Sequence, residues 1–361
     1  MTEPTTGATD SLDSADPTNS TDSMDSTDAT DSNAPIALVT GSTDGIGRET
    51  AFGLARRGAT VLVHGRDRER GTAVVDRIER KTDGSAALAL ADFADRTAIE
   101  ELVSAIAARF DRLDVLMHNA GGAFETYEET NAGIERTLEI NHLAPFLLTH
   151  RLLGLLDASE HARIVTTSSG LHRRASIDPE DLGAESGADS DYEGIEAYGR
   201  SKLANVYFTY ELSRRLDPAS ITANVFSPGF VPGTRLNREA SRRFRLVTGA
   251  LGRLPDPLLR ALPGPVNTIE EGARTPIYLA SDPEVKYVSG LYFENRDPVL
   301  SAPVSYDPYV ARKLWTASAD LLDLDPDPDS VSTASEQSLE RDGSHASSVL
   351  DRATGLLRGR S

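Results

Sequence analysis

The sequence predicts an α/β protein with one domain, built on a doubly wound and mainly parallel sheet of about seven strands. From residue 36 onward, short apolar runs alternate with longer stretches of helical periodicity. This alternation is typical of repeated β-α-β units. A glycine-rich turn follows the first apolar run, and polar residues follow several later ones. Such residues are expected where parallel strands end at one edge of a sheet.

The individual elements follow from periodicity and from Gly, Pro and Asp punctuation. The predicted strands are 36–40, 60–64, 87–91, 115–118, 163–167, 221–226 and 291–293. The predicted helices are 46–57, 68–81, 97–109 and 135–156, followed by an amphipathic helix that opens at Tyr198 and stops at Asp217-Pro218.

Composition confines this domain to residues 34–325. Residues 1–33 are rich in Ser, Thr and Asp and hold eight acids and no Lys or Arg. Such a segment cannot bury enough apolar surface to offset its ordering entropy, so a disordered acidic tail is predicted there. It has no basic and apolar blocks of a secretory signal. Residues 326–361 open with alternating Asp and Pro and are predicted to form a second disordered tail.

The charge balance excludes some functions. The formal net charge is −19, which argues against a nucleic-acid partner because phosphate binding needs a basic surface. Only four lysines accompany thirty-three arginines. Acid excess with scarce lysine suggests salt adaptation, although a GC-rich genome that favours Arg codons would also explain the lysine count.

Cysteine and histidine usage and hydropathy narrow the classes further. There is no cysteine, so disulfides and thiolate sites are excluded. The seven histidines lack metal-ligand spacing, and no metal is expected. No apolar run is long enough to span a bilayer, so a cytoplasmic protein is expected, with peripheral membrane contact left open.

The glycine turn lies between the first predicted strand and helix. Gly41, Gly45 and Gly47 have a G-x-x-x-G-x-G spacing. Glycines at a strand-to-helix turn let the backbone approach a pyrophosphate, which the dipole of the following helix stabilises. The pattern therefore predicts a dinucleotide site on a Rossmann fold, against the alternative of a plain glycine-rich turn.

The end of the second strand indicates which dinucleotide binds. His64, Gly65 and Arg66 stand there, and an arginine suits the 2′-phosphate of NADP whereas an acid would suit NAD. NADP is therefore favoured over NAD. Asp67 follows at once, so a simple ion pair with Arg66 is the alternative.

A second group of residues points to proton transfer. Tyr198 and Lys202 are four residues apart and would share one helix face. A nearby ammonium favours the phenolate, which makes tyrosine a credible acid or base. Ser169 follows a predicted strand, and Asn141 lies inside an apolar helix, where a buried amide needs a partner.

Taken together, these motifs resemble the short-chain dehydrogenase/reductase family, and the helix sequences are similar to its branch of retinol dehydrogenases and protochlorophyllide reductases. The resemblance rests on T-G-x-x-x-G-I-G at 40–47, N-A-G at 119–121, Asn141, Ser169, Y-x-x-x-K at 198–202 and P-G at 228–229. It implies an NADP(H)-dependent oxidoreductase that acts on a small carbonyl or secondary alcohol. A homodimer or homotetramer is the expected assembly, since the helices at 138–156 and 198–216 resemble dimerising helices of relatives.

The resemblance also implies roles for individual residues. Tyr198 would be the general acid/base, Lys202 would lower its pKa and hold the nicotinamide ribose, Ser169 would orient the substrate oxygen, and Asn141 would link Lys202 to solvent. The implied cofactor-binding residues are Gly41, Ser42, Asp44, Gly45, Ile46, Gly47, Arg66, Asp92, Phe93, Asn119, Ala120, Gly121, Tyr198, Lys202, Pro228 and Gly229.

Three segments depart from the family pattern. The acidic stretch 175–199 is longer than in compact members and is expected to form an exposed flap. The threonine that usually follows P-G is shifted to Thr234, so its role is in doubt. Residues 235–262 carry seven arginines against two acids, which suits an anionic substrate, a membrane surface or pairing with the flap.

Two other functions stay open at this point. One is a dinucleotide-binding sensor or regulator without turnover, although such proteins tend to lose the tyrosine or lysine that this chain keeps. The other is a double-bond or imine reductase on the same scaffold, which only substrate profiling would separate from a carbonyl reductase.

Overall fold

A computed structural model describes residues 33–183, 192–232 and 266–327 of the chain. Residues 1–32 and 328–361 lie outside this description, and with them almost all of the two predicted tails. Thr234 and the arginine-rich segment 235–262 also lie outside it, as does the centre of the predicted flap.

The described residues form one sheet with the strand order β3-β2-β1-β4-β5-β6-β7-β8. Its strands are β1 (Ile36–Val39), β2 (Thr60–Gly65), β3 (Ala86–Leu90), β4 (Val115–His118), β5 (Ala162–Thr167), β6 (Ile221–Ser227), β7 (Tyr292–Glu294) and β8 (Asp297–Pro298). The pairs from β3 to β7 are all parallel, and only β8 is antiparallel, to β7. The predicted α/β class and mainly parallel sheet are confirmed.

The eighth strand is a correction to the expected number of about seven. β8 is two residues long and pairs with β7 across Asn295 and Arg296, whose φ angles are 51° and 71°. Two consecutive residues with positive φ are typical of a tight hairpin turn. An element this short leaves no periodicity in the sequence.

Helices flank the sheet. They are α1 (Gly45–Ala55), α2 (Arg68–Lys81), α3 (Arg96–Arg109), α4 (Arg136–Leu138), α5 (Ala144–Asp157), α6 (Gly194–Arg215), α7 (Ile269–Ser281) and α8 (Pro308–Leu321). Helices α1, α2 and α7 contribute to the apolar core on one face of the sheet, while α3, α5, α6 and α8 contribute to the core on the other. The fold is therefore doubly wound, as predicted.

Two predicted helices need correction. The helix expected over 135–156 is interrupted by a π turn at Glu139–Leu143, in which Ala144 N–H donates to Glu139 C=O five residues back. The helix expected to open at Tyr198 begins at Gly194, so the tyrosine lies in its second turn.

Helix α6 is also not amphipathic. Every residue from 197 to 212 is buried except Arg200. Helix α8 packs over its outer side, where the Trp315 ring lies 5.9 Å from that of Phe208 and 4.7 Å from that of Phe146. The α5 and α6 surfaces associated with dimerisation are thus covered in part by the chain itself, and the oligomeric state stays a prediction.

Within the described ranges, no helix combines the length and the hydropathy that crossing a bilayer requires. The same ranges hold no cluster of three or more His, Cys, Asp or Glu side chains suited to a metal ion.

Candidate active site

The candidate site lies at the carboxyl ends of the central strands. β1 and β4 are neighbours in the sheet although β2 and β3 separate them in sequence. At such a switch point the chain winds outward in both directions and leaves a crevice, where open α/β sheets bind ligands. The glycine turn follows β1, residues 119–121 follow β4, and Ser169 lies two residues beyond β5. The three segments therefore share one edge of the sheet.

The glycine turn leaves no room for side chains. Gly41 and Gly45 have φ angles of 65° and 56°, which L side chains rarely adopt. A Cβ added to Gly41 would lie 2.8 Å from the Cα of Ala120, and one added to Gly47 would overlap Asn119. The turn therefore presents bare backbone at the start of α1, a geometry that fits a dinucleotide pyrophosphate.

Neighbouring strands hold this turn in place. Gly41 N–H donates to His64 Nδ1 at 3.1 Å, and Ser42 Oγ accepts from His64 N–H at 3.0 Å. On the other side, Asn119 Nδ2 donates to Thr40 C=O at 2.8 Å. Ser42 and Asn119 thus fix the backbone around the glycines.

Two further residues of the turn, Asp44 and Ile46, hold helix α1 in place. The Asp44 carboxylate accepts from Gly45 N–H at 2.8 Å and pairs with Arg48 at 3.6 Å, which caps the helix. Ile46 packs against Gly272 of α7, so closely that a Cβ added to this glycine would lie 3.3 Å from Ile46 Cδ1. Asp44 and Ile46 therefore support the turn within the protein itself.

The end of β2 holds an exposed ion pair. Arg66 Nη1 lies 3.2 Å from Asp92 Oδ2, and both side chains are nearly half exposed. Asp67 instead caps α2 and pairs with Arg70, so the alternative of an Arg66–Asp67 pair is not what the structure has. Phe93 stacks on His64 with ring centroids 4.4 Å apart. Arg66 and Asp92 thus meet where the two outer strands β2 and β3 end.

Ser169, Tyr198 and Lys202 come together at one point. Tyr198 and Lys202 are one turn apart on α6, and the Ser169 side chain lies near enough to the Tyr198 phenol to lower its pKa. Lys202 Nζ lies 5.5 Å from the centroid of the Tyr198 ring and donates to Thr167 C=O at 3.4 Å. Both α6 side chains are at least 95% buried. A phenol, a hydroxyl and an ammonium therefore converge beside the crevice.

Burial shifts both titratable groups toward their neutral forms. It raises the pKa of Tyr198 to about 12, against the opposing effect of the Ser169 hydrogen bond. It lowers the pKa of Lys202 to about 8. The expected lowering of the tyrosine pKa by Lys202 is not found in the protein alone, because removal of the phenol from water dominates.

Asn141 lies in the π turn and is fully buried. Its amide donates to Gly122 C=O at 2.9 Å and to Ser201 Oγ at 3.0 Å, while its oxygen accepts from Gly122 N–H at 2.8 Å. Its partners lie 19 and 60 residues away, so it does not bond only to local backbone. A Cβ on Gly121 would be 2.8 Å from Asn141 Oδ1 and 3.3 Å from Lys202 Nζ. Gly121 thereby lets the end of β4 approach the Asn141 and Lys202 side chains.

Pro228 and Gly229 follow β6 and face the same crevice edge. Gly229 has a φ of 74°, and Asn267 Nδ2 donates to Pro228 C=O at 2.8 Å. Phe230 forms a parallel bridge with Val266. These contacts join the residues that precede segment 233–265 to those that follow it.

The described parts of the predicted flap are not uniformly exposed. Pro179–Asp181 forms a 3-10 helix and Leu182 is buried in the core. Residues 194–199 belong to α6. The expectation of an exposed flap over 175–199 is therefore wrong at Leu182 and at residues 197–199, which are buried, whereas Glu180 and Asp181 are exposed.

Sequence reasoning missed several buried polar residues around this site. Asn205 Nδ2 donates to Thr167 C=O at 3.2 Å, the carbonyl that also accepts from Lys202. His172 contacts the backbone of Ser169. The available signals were weak: Asn205 lies three residues after Lys202, and His172 three residues after Ser169, so each is one turn from a site residue.

A cavity of about 510 Å³ lies behind α6. Its lining includes Leu171, Arg174, Ile177, Leu182, Arg200 and Ser201, but neither Tyr198 nor Lys202. It is therefore separate from the convergence of the three proposed catalytic side chains.

Sequence comparison links this arrangement to known proteins. The family described as short chain dehydrogenase matches residues 35–178. The chain is similar to retinol dehydrogenase 14 of Mus musculus, with 38% identity over 298 residues that cover 78% of this chain and 84% of the relative.

Solved structures agree with the fold. An uncharacterized protein from Mycobacterium Paratuberculosis is similar with a TM-score of 0.61 and 28% identity over 84% of this chain and 100% of its own. A short chain dehydrogenase from Shigella flexneri 2a complexed with NADP is similar with a TM-score of 0.55 and 26% identity, covering 73% of this chain and 98% of its own.

Proposed function

The chain belongs to the short-chain dehydrogenase family, on its retinol dehydrogenase-like branch, and from this premise we propose that it is an NADP(H)-dependent carbonyl reductase or alcohol dehydrogenase that uses Tyr198 as general acid/base. That it is a dinucleotide-dependent oxidoreductase follows from its relatives, which are named dehydrogenases and reductases. The cofactor preference, the substrate class and the residue roles are the proposal.

When bound, the dinucleotide supplies or accepts the hydride. The protein supplies the proton and the hydrogen bonds. Tyr198 would donate its phenolic proton to the carbonyl oxygen, while the Ser169 hydroxyl would hydrogen-bond the same oxygen as negative charge develops on it. Lys202 would hold the nicotinamide ribose and place a positive charge beside the phenol.

The observation that carries this proposal is the convergence of Ser169 with the buried side chains of Tyr198 and Lys202 next to the glycine crevice. With a pKa of about 12, Tyr198 holds its proton at neutral pH. A protonated phenol is ready to act as an acid, which favours carbonyl reduction. The reverse reaction needs the phenolate and is expected to require higher pH.

Arg66 supports the choice of NADP. Its guanidinium is half exposed at the end of β2, and the Asp92 carboxylate with which it pairs is equally exposed. A 2′-phosphate could therefore reach the guanidinium without burying an unpaired charge. The related structure from Shigella flexneri 2a was solved with NADP, which agrees with this choice.

The first test is a turnover assay at high salt, as the acidic composition recommends. NADPH carrying deuterium at the hydride position is incubated with a panel of aldehydes, ketones and lipophilic enones, and products are analysed by mass spectrometry. We expect deuterium on the carbinol carbon. Deuterium on a saturated carbon that had belonged to the double bond of an enone would instead indicate a double-bond reductase, and no transfer to any substrate would contradict the proposal.

The cofactor proposal has its own test with Arg66→Ala and, as control, Arg70→Ala, an exposed arginine paired with Asp67. Loss of a charged partner of the 2′-phosphate should weaken NADPH binding about 10- to 100-fold and leave NADH binding unchanged. Equal losses for both dinucleotides, or tighter NADH than NADPH binding in the unchanged protein, would contradict NADP preference.

A further inference from the structure

His172 connects the turn that carries Ser169 to a distant part of the chain. Its side chain is fully buried. Nδ1 lies 2.6 Å from Ser169 C=O, and Ala302 N–H donates to Nε2 at 3.0 Å. Ala302 follows the last strand and is 130 residues away in sequence. Neither contact is part of regular secondary structure.

These two partners determine which nitrogen of the ring carries the hydrogen. A backbone N–H can only donate, so Nε2 must be unprotonated to accept from Ala302. The hydrogen of the neutral ring is then on Nδ1, from which it is donated to Ser169 C=O. Burial lowers the pKa of His172 below its ordinary value, in agreement with a neutral ring. Each nitrogen therefore has one defined role.

The bond to Ser169 C=O affects the hydroxyl of the same residue. Ser169 caps the 3-10 helix Gly170–Arg174, and its Oγ accepts from Leu171 N–H at 3.3 Å. With that lone pair engaged, the hydroxyl hydrogen is free to point toward Tyr198 or a substrate oxygen. The direction of the hydroxyl thus depends on the backbone at Ser169, and His172 holds that backbone through its bond to the Ser169 carbonyl.

The ring of His172 is itself held firmly. It packs on Tyr292 of β7 with centroids 4.9 Å apart. The neighbouring Arg173 pairs with Glu294 of β7 at 3.2 Å and lies over the Tyr292 ring at 5.5 Å. His172 and Arg173, two successive residues of the 3-10 helix that follows Ser169, therefore both contact β7.

We propose that His172 is a positioning residue that orients Ser169 for the reaction by bonding its carbonyl through Nδ1 while Ala302 fixes the ring through Nε2. The inference rests on the proposed function, since Ser169 needs an orientation only if its hydroxyl acts on a substrate. It adds a residue outside the serine, tyrosine, lysine and asparagine set, and it makes the segment after β8 part of the site's support.

Two amide variants separate the two bonds. In His172→Asn the side-chain amide can take the place of Nδ1 and donate to Ser169, but it does not reach Ala302. In His172→Gln the amide oxygen can take the place of Nε2 and accept from Ala302, but no donor remains at Nδ1. His150→Gln, at a half-buried histidine on α5, controls for the substitution itself.

For each variant we would measure kcat and KM for the best carbonyl substrate, Kd for NADPH and the midpoint of thermal unfolding. We expect His172→Gln to lose about 10- to 100-fold in kcat with Kd within twofold of the unchanged protein. His172→Asn should keep kcat within a few-fold, and His150→Gln should match the unchanged protein. Equal kcat in the Asn and Gln variants, or losses that follow the unfolding midpoint in both, would overturn the proposal.

A second measurement needs no variant. Nitrogen NMR of the unchanged protein labelled on histidine should show the His172 ring neutral at pH 7, with Nδ1 protonated. The opposite tautomer or a charged ring would overturn the proposal even if neither variant folds. No carbonyl turnover by the unchanged protein would overturn the proposed function together with this inference, whereas turnover with an unaffected His172→Gln overturns this inference alone.

Discussion

The two halves of the candidate site are built in different ways. The proposed cofactor half, formed by the glycine turn, the β2 end and residues 92–93 and 119–121, presents bare backbone at its glycines, where no side chain fits. The proposed reaction half, formed by Asn141, Ser169, Tyr198 and Lys202, buries three polar side chains, and those of Asn141 and Lys202 are hydrogen-bonded to Ser201 Oγ and Thr167 C=O. The first half depends on steric fit, and the second on desolvated polar and charged groups.

This difference has an energetic consequence. A backbone turn with glycines costs conformational entropy but leaves no charge away from water. A buried ammonium and a buried phenol have shifted pKa values because the protein solvates them less well than water does. We therefore expect the buried groups of the reaction half to lower the free energy of unfolding, as is common at catalytic sites. The glycine turn of the cofactor half should not have this effect.

The largest expected effect is a fall in kcat caused by a change in the reaction half. Tyr198→Phe removes the proton donor but keeps the ring, so kcat should fall about 10²- to 10⁴-fold with the Kd of NADPH nearly unchanged. Steady-state kinetics and fluorescence titration check this. A variant that retains more than a tenth of kcat would show that another group donates the proton.

The second prediction concerns the cost of the buried ammonium. The pKa of Lys202 in the folded protein is about 8, below that of a free lysine. The folded state is therefore penalised in full at pH values below about 8, and this penalty falls as pH rises from about 8 to the pKa of a free lysine. Lys202→Met should raise the unfolding free energy of the cofactor-free protein by roughly 2–3 kcal/mol at pH 7.

Chemical denaturation at pH 7 and pH 10.5 tests this sign. The advantage of Lys202→Met should shrink at the higher pH, and Lys81→Met, an exposed lysine at the end of α2, should show no advantage at either. A Lys202→Met protein that is less stable than the unchanged one at pH 7 would mean that the lysine stabilises the fold.

The third prediction tests whether the cofactor half depends on steric fit. Gly47→Ala would push a methyl group into Asn119 Nδ2 and Gly41 C=O, and the backbone of Gly41 cannot yield. We expect a loss of about 1–3 kcal/mol in unfolding free energy and weaker binding of both dinucleotides. Gly154→Ala is the matched control, since no atom lies within 4 Å of its added Cβ. That exposed helical change should stabilise by about 0.5–1 kcal/mol.

The smallest effect concerns His64, a buried side chain that accepts a hydrogen bond from the glycine turn. His64→Leu removes the acceptor of Gly41 N–H, which should weaken dinucleotide binding by about 1–3 kcal/mol, whereas His64→Asn can still accept. Burial lowers the pKa of His64 to about 4, so binding to the unchanged protein should not vary between pH 8 and 6 on its account. Equal binding by both variants would mean that steric fit alone holds the turn.

Much of this protein could be predicted from its sequence because the relevant signals are local. The spacing of Gly41, Gly45 and Gly47 predicts their turn. Helix α2 was predicted with the same bounds that the structure has. The Tyr198 and Lys202 spacing likewise follows from a single helix. These features need only neighbouring residues to be recognised.

Other features exist only once distant segments meet. The π turn at Asn141, the burial of α6 on its outer side by Trp315, and the pairing of Arg66 with Asp92 rather than Asp67 depend on contacts made across the fold. The bond from Ala302 to His172 joins residues 130 positions apart. Sequence periodicity reports which face of an element is apolar, but not what covers it, so the tertiary structure alone decided the desolvation and hydrogen bonding of the reaction half.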